Sequence, residues 1–500
     1  MNFIEYLFEL PRPPDKNAIL MGGTKVTYGA LLERIKAVSA HLQASGQTQN
    51  AIIFADNSPF VVESYIGTMA AGHVAIPLFP RISKKDLEYI IKSSKARTAF
   101  VQKKYLKDFA AIEGSAIEQV FTDEPVEGHP TLASLPAKDA SFKEIPDKDH
   151  LAVIVFTSGS TGVPKGAMIS HGNLMANTSS ILEYIKLAPD DRIMCVLPFS
   201  YCYGASLLHT HVRVGGELVI NNRFMFPGKV LEEINEKACT GFAGVPSHFQ
   251  ILLRRTKMKE MAFPSLRYVA QAGGKLPTPF ITELMNALPK TKIFIMYGQT
   301  EATARLSYLP PELLKTKLGS MGKGIPGVKL EVLDKDGKPV KPGDVGEIVA
   351  SGENIMKGYW NDPEETKKVL RGGKLYTGDL ATVDKDGYIF VVEREKQIIK
   401  SGGYRVSPKE IEDVIVAIPD VVEAAVIGVP DDLLGEAIKA FVTVTDPRHP
   451  KITKDDIVKA CNKVFPAYKV PRHVEFIDAI PKNSYGKVMK EELKKREAKP

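Results

Sequence analysis

Between Thr157 and Gly166 the chain reads Thr-Ser-Gly-Ser-Thr-Gly-Val-Pro-Lys-Gly. Hydroxyls at Thr157, Ser158, Ser160 and Thr161 are interleaved with Gly159 and Gly162, and Lys165 follows. Glycine has no Cβ, so backbone N–H groups there can approach an anion closely, while hydroxyls add donors and the lysine a full positive charge. That equipment suits a polyphosphate. The string departs from a Walker A loop, which needs Gly-Lys-Ser/Thr, because Lys165 stands between Pro164 and Gly166. On composition alone a solvated Gly/Ser/Thr linker competes with the phosphate reading, and the surrounding elements have to arbitrate.

They favour a positioned loop. Leu151 to Phe156 is an apolar run that reads as a buried strand leading into it. Upstream, Leu31, Leu32, Ile35, Val38 and Leu42 repeat at helical spacing from Tyr28, with Thr27 as N-cap. Strands follow at Ala51 to Phe54, Val74 to Leu78 and Thr98 to Val101, with helices over Val61 to Ala71 and Asp86 to Ser94 between them. Such alternation predicts an α/β fold with mostly parallel, doubly wound sheets. Downstream, Ser170 and Asn173 cap a helix carrying Leu174 and Met175, and His171 there carries no chemistry. Phe242 to Ser247 and Ala270 to Pro277 each read as strand then loop, and Ile293 to Tyr297 as a buried strand ending in Tyr-Gly-Gln-Thr-Glu. Gly346 to Tyr359 reads as strands bearing glycine turns. Past Lys396, Ile411, Val414, Ile415 and Ile418 mark one helix face, and Ile457, Val458, Cys461, Val464 and Phe465 another. With strands at Ala424 to Val429, Ala440 to Val444 and Val474 to Ile477, this is a compact α+β unit able to fold alone.

The Thr157–Gly166 string, the Tyr297–Glu301 string, Tyr376-Thr377-Gly378-Asp379 and the terminal Pro481-Lys482-Asn483-Ser484-Tyr485-Gly486-Lys487 occur in that order. Together they resemble the adenylate-forming (ANL) superfamily of acyl-CoA synthetases, firefly luciferases and peptide-synthetase adenylation domains, and most of all its AMP-forming fatty-acid–CoA ligases. The resemblance runs from about residue 5 to 495. It implies a large N-terminal domain over residues 1–394, comprising doubly wound sheets and a small barrel-like part. A small mobile α+β domain over 397–500 would follow, with Lys396 as hinge at 395–396.

What it implies for chemistry is a two-step ligase. A carboxylate attacks the α-phosphorus of ATP, pyrophosphate leaves, and a thiol then takes the acyl group from the adenylate. Lys165, Thr300, Glu301 and Lys487 are the catalytic positions, and Glu301 is also the Mg2+ ligand, since magnesium usually sits between one carboxylate and substrate phosphates. Nucleotide contacts fall to Thr157, Ser158, Gly159, Ser160, Thr161 and Gly162, and to Gly273, Gly274 and Lys275. Tyr297 offers its face to the purine beside Gly298 and Gln299, while Asp379, Arg394 and Lys400 complete the set. Tyr201, Cys202, Val245, Phe249 and Ala270 line the acyl pocket. Amino-acid-activating members place an aspartate where Cys202 stands; a thiol gives an ammonium no fixed partner, so the acid expected is fatty or aryl, with a neutral tail. Coenzyme A is the first-choice thiol, and the phosphopantetheine of a separate carrier protein the alternative. A luciferase-like oxidation has no positive indication. An inert nucleotide-binding scaffold is opposed by the intact Lys165, Glu301 and Lys487 set, and a P-loop kinase by the wrong loop.

Composition agrees. The net charge of +7 on 500 residues is slight, and no Lys/Arg block is dense enough for nucleic acid. The basic tail from Lys487 to Lys499 alternates with acids, as a solvated helix face does. Four cysteines, Cys195, Cys202, Cys239 and Cys461, form neither a CxxC pair nor a metal spacing. No apolar run approaches a membrane span and the first residues lack a signal-peptide pattern, which points to the cytoplasm.

Overall fold

The computed structural model describes residues 1–500 except 113, 137–141, 146, 159–162, 395–396, 484–485 and 498–500, and leaves out the side chain of Ser158. Gly159, Ser160, Thr161, Gly162 and the hinge Lys396 therefore lie outside the described residues.

Two large sheets carry the N-terminal part. The six-stranded one runs Gln119–Thr122, Thr98–Val101, Asn50–Phe54, Val74–Leu78, Leu151–Ser158, Pro164–Ser170. All neighbours are parallel except the last pair, which is antiparallel with Thr157 opposite Lys165. The two strands that flank the phosphate string thus pair with each other and hold Thr157 and Lys165. Gly166 is required inside it, because a Cβ would come within 2.7 Å of Ile154 Cγ2. The nine-stranded sheet runs Lys323–Gly324, Ser307–Leu309, Lys292–Tyr297, Tyr268–Gln271, Gly241–Gly244, Arg192–Cys195, Glu217–Ile220, Asn17–Met21, Thr24–Thr27. It is parallel through its centre and antiparallel only toward its edges. Helices pack between and around the sheets, as buried parallel strands demand. Thr27 and the Ser170/Asn173 capping box start two of them as the sequence predicts. The Phe242–Ser247 segment differs from expectation. The strand runs almost directly into the helix Pro246–Arg255 and leaves no loop. Proline suits that first helical position, where its fixed φ is already helical and its missing N–H costs nothing.

A five-stranded antiparallel sheet built from Val328–Leu333, Gly346–Gly352, Leu370–Arg371, Lys374–Val383 and Ile389–Arg394 forms the barrel-like part. The small domain has its own five-stranded sheet of Ile399–Ser401, Tyr404–Val406, Val421–Asp431, Gly435–Val444 and His473–Phe476. It is flanked by the helices Pro408–Val416, Lys454–Asn462 and Lys490–Glu497. Val464 does not belong to the predicted helix face; it lies past the helix end and is exposed.

The small domain is docked. One apolar cluster runs from Leu252, Phe280 and Ile281 into Ile411, Ile415 and Val421. Arg254, paired with Glu283, donates to the Ile418 and Val421 carbonyls at 3.2 and 3.0 Å, tying the helix Pro246–Arg255 to the turn that leads into the strand Val421–Asp431. Lys275 pairs with Asp413 at 3.1 Å. No helix among the described residues is long and apolar enough to cross a membrane.

Candidate active site

The hairpin brings Lys165 to one end of a cleft. Its ammonium is ion-paired with Glu365 on the helix Pro363–Val369 and lies 5.5 Å from the centre of the Tyr359 ring. Hydrogen bonds from Lys165 and then Lys368 lower the Glu365 carboxyl to about 2. The Tyr359 hydroxyl in turn donates to Glu301 Oε1 at 2.7 Å. Lys165 and Glu301, far apart in sequence, thus meet around one tyrosine. Neither Tyr359 nor Glu365 is legible as a site residue beforehand. Thr300, buried, donates to Cys202 Sγ at 3.5 Å.

A second constellation forms where the barrel-like sheet meets the nine-stranded one. Asp379 and Arg394 are cross-strand partners, with Arg394 Nε donating to Asp379 Oδ1 at 3.0 Å. The Tyr297 hydroxyl donates to Asp379 Oδ2 at 2.7 Å. Burial, and then the Asp379 charge, raise the Tyr297 hydroxyl well above its usual value, so it stays a donor. Each Asp379 oxygen accepts one of these hydrogen bonds and keeps a further lone pair. Gly298 has no alternative here, because a Cβ would sit 1.9 Å from the Ala304 carbonyl oxygen. The Gln299 amide nitrogen is buried without a partner among the described residues.

The floor between these groups is Gly273. Its φ of +85° is left-handed, and a Cβ would press on Val245 Cγ1 at 2.9 Å and on the Tyr201 hydroxyl at 3.2 Å. A Cβ on Gly274 would meet Pro246 Cγ at 3.3 Å. Tyr201, Val245 and Pro246 therefore pack directly against the backbone of Gly273 and Gly274. Ala270 lies behind it, its carbonyl accepting from the buried Tyr203 hydroxyl at 2.7 Å. Burial pushes the Cys202 thiol up to about 11, so it presents no charge at neutral pH. Phe249 departs from expectation. It points into the other apolar cluster with Val230 and Leu252, edge-on to Phe242, because its helix turns that face to the sheet's far side. Lys275 is engaged by Asp413, and Lys400 is exposed on the small domain, its backbone N–H donating to Glu436.

The small domain supplies Lys487. Its loop is closed by Asn483, which accepts from the Lys487 N–H at 3.0 Å and donates back to its carbonyl at 2.8 Å. Gly486, at φ +78°, rests on the first turn of the Pro246–Arg255 helix, its carbonyl accepting from Ser247 Oγ at 3.2 Å. A Cβ there would lie 2.9 Å from Val245 Cγ2. The ammonium so placed has Arg394, Asp379 and Glu301 as electrostatic neighbours. Crowding by protein, and then the Arg394 charge, lower it to about 8. Water at its exposed edge limits that shift. Behind the cleft, Glu393 is fully buried with Lys409 and Lys490 of the small domain each 3.9 Å away.

Comparison with known proteins agrees with this arrangement. The family described as AMP-binding enzyme matches residues 9–360, and the AMP-binding enzyme C-terminal domain matches 410–487. Feruloyl-CoA synthase from an Amycolatopsis species is 32% identical over 490 residues, spanning 97% of this chain and 96% of that protein. A long-chain-fatty-acid–CoA ligase from Bacillus subtilis is 28% identical, spanning 97% and 92%. The ATP-bound crystal structure of MatB from Rhodopseudomonas palustris superposes with a TM-score of 0.88 at 30% identity, covering 100% of this chain and 99% of that one.

Proposed function

The chain belongs to the AMP-binding enzyme family, and from that premise we propose how its own residues carry out acid activation and thioester formation. Members of this group join a carboxylic acid to coenzyme A through an acyl-adenylate. The observation that carries the residue assignments is the convergence of Lys487, Arg394, Asp379 and Glu301 from both domains on one cleft.

In the first step the acid's carboxylate attacks the α-phosphorus of ATP, the bond to the bridging oxygen breaks, and pyrophosphate leaves. No protein nucleophile is needed. The protein must bring anions together and offset developing charge, so positioning and electrostatics are the main terms. Asp379 takes the ribose hydroxyls, with Tyr297 and Arg394 fixing its two oxygens. The backbone at Gly273 and Gly274 takes the adenine and the start of the acyl chain, and the Gln299 amide nitrogen, without a partner among the described residues, is free to donate to the nucleotide. Thr300 orients toward the α-phosphate. Lys165 exchanges Glu365 for the departing pyrophosphate, together with the loop from Thr157. Lys487 reaches between carboxylate and α-phosphate. Magnesium would be held by Glu301, whose Oε1 is steadied by Tyr359 while Oε2 accepts no hydrogen bond among the described residues; it would offset charge on the phosphates.

In the second step the coenzyme A thiol attacks the acyl carbonyl and AMP leaves. We place the domain division at 394/397 with the pivot at 395–396, so that the small domain turns, Lys487 withdraws and the Gly402-Gly403 side admits the thiol. Such turning is gating, a step that limits many enzymes. The activity is of the acid–thiol ligase class, EC 6.2.1. The four cysteines are buried and unpaired, as a reducing cytoplasm allows.

The test is acid-dependent release of pyrophosphate and AMP from ATP with a panel of fatty and aryl acids, then acyl-CoA formation on adding coenzyme A. ADP as product, or thioester formed only on a carrier protein, would overturn the reading.

A further inference from the structure

The last strand of the large domain, Ile389–Arg394, ends in two adjacent charged residues with different partners. Arg394 holds Asp379 in the cleft at 3.0 Å. Glu393 is fully buried, and among the described residues the cations within ion-pair distance of it are Lys409 and Lys490 of the small domain, each at 3.9 Å. Its Oε1 accepts from the Arg394 N–H at 2.9 Å. Its Oε2, the oxygen that faces Lys490, has no hydrogen-bond donor among the described residues. A carboxylate taken out of water is costly unless a cation compensates it, so Glu393 depends on the small domain for its partners.

Those partners are tied to the chemistry. Lys490 stands three residues past Lys487, and the loop that carries Lys487 is closed at its base. Lys482 and Val488 form a β-bridge there, and the Met489 N–H donates to the Pro481 carbonyl at 2.8 Å. Lys490 is seated in turn by Glu412 at 2.8 Å, whose Oε1 also accepts from the Val426 N–H at 2.9 Å. Its ammonium is thereby fixed to the helix Pro408–Val416 and the strand Val421–Asp431. Lys409 belongs to that same helix, and Ser407 just before it donates to the Val392 carbonyl at 3.2 Å. Two carboxylates and two ammoniums, neutral in sum, thus bridge the domains directly behind Arg394 and Lys487.

We infer that Glu393 is a positioning residue for adenylation: it draws Lys409 and Lys490 onto the end of the strand that carries Arg394, and so sets the Lys487 ammonium at the cleft. This rests on the adenylation role of Lys487 and goes beyond it. When the small domain turns, Lys409, Lys490 and Glu412 leave together and the Glu393 carboxylate passes to water, where it needs no partner. The device therefore supports the first step and not the second. A separation of 3.9 Å is longer than a charge-assisted hydrogen bond, which suits a contact broken in every turnover.

The experiment compares Glu393→Gln, which removes the charge at nearly constant shape, with the wild-type enzyme in each half-reaction. Acid-dependent pyrophosphate release should fall about tenfold in kcat, the scale of one charged interaction, with the KM for ATP changed by less than about twofold. Thioester formation from supplied acyl-adenylate should not fall. Because Glu393 acts through Lys487, the same substitution made in Lys487→Ala should lower pyrophosphate release no further, whereas a role in stability alone would lower both backgrounds alike. Lys409→Met removes the pair from the partly exposed side, so a misfolded Glu393→Gln cannot shield the proposal; it should give the same split. Full pyrophosphate release in either folded variant, equal loss in both half-reactions, or an undiminished effect in the Lys487→Ala background would overturn it. If Lys487→Ala itself releases pyrophosphate normally, the adenylation role of Lys487 fails; if Lys487→Ala loses release and Glu393→Gln does not, that role stands and Glu393 falls.

Discussion

The two lysines at the ends of the cleft are held in opposite ways. Lys165 belongs to a hairpin inside a large sheet and is ion-paired with Glu365 over the Tyr359 ring. Lys487 has no carboxylate within ion-pair distance among the described residues. It rides a loop that touches the large domain through Gly486, on Val245 and Ser247. One charge rests on an internal counter-ion. The other is carried by the small domain, whose docking sets it beside Arg394, Asp379 and Glu301. In the proposed mechanism a fixed anchor suits the group that stays with pyrophosphate, and a mounted one suits a charge that is withdrawn before a thiol enters.

Removing each charge should expose that difference most strongly. Lys487→Ala should cut acid-dependent pyrophosphate release by about 10²–10³-fold, the cost of losing one key electrostatic donor. Thioester formation from supplied acyl-adenylate should stay near normal. Equal loss in both half-reactions would erase the contrast between a withdrawn lysine and a resident one.

Protonation sharpens it next. In the proposed mechanism Lys487 acts as the cation, and burial lowers its pKa to about 8. Its charge is therefore present below that pH and lost above it. The kcat/KM for adenylation, which reports the free enzyme, should fall about tenfold per pH unit beyond 8. Lys487→Arg should flatten that limb at a lower plateau, because arginine stays charged. A limb that persists in the arginine variant would assign the titration elsewhere.

On the Lys165 side the effect should be smaller and of opposite sign. Glu365→Gln removes the counter-ion that ATP has to displace. The KM for ATP should fall, by about three- to tenfold on the scale of a charged hydrogen bond in a partly exposed site. A raised KM would mean that the pair positions Lys165 and persists in the complex.

The smallest change concerns the docking itself. Asp413→Asn breaks the pair with Lys275, which is partly exposed on both sides. Burial raises the Asp413 carboxyl despite Lys275, so the pair adds little net stability. Adenylation should drop only about twofold, with a matching gain in the thioester half-reaction as the small domain turns more readily. A loss in both steps would show damage rather than a shifted balance.

The chain's order of strands and helices was legible because it depends on local spacing: helical repeats such as Leu31, Ile35, Val38 and Leu42, caps such as Thr27 and Ser170, and short apolar runs. The motifs at Thr157–Gly166, Tyr297–Glu301 and Lys487 were legible through their resemblance to the superfamily, and the glycines through the missing Cβ that the structure uses at Gly273 and Gly298. What spacing could not reveal is which distant residues meet. Glu365 lies 200 positions from Lys165, and nothing around it in sequence marks it as a counter-ion. Phe249 looked like pocket and became core, because the rotation of one helix decides which face it turns. Sequence fixes which groups are available and which backbone they can adopt. Only the packing of two domains and four sheets decides where charge ends up, because desolvation and pairing are properties of neighbours that the chain brings together from hundreds of residues apart.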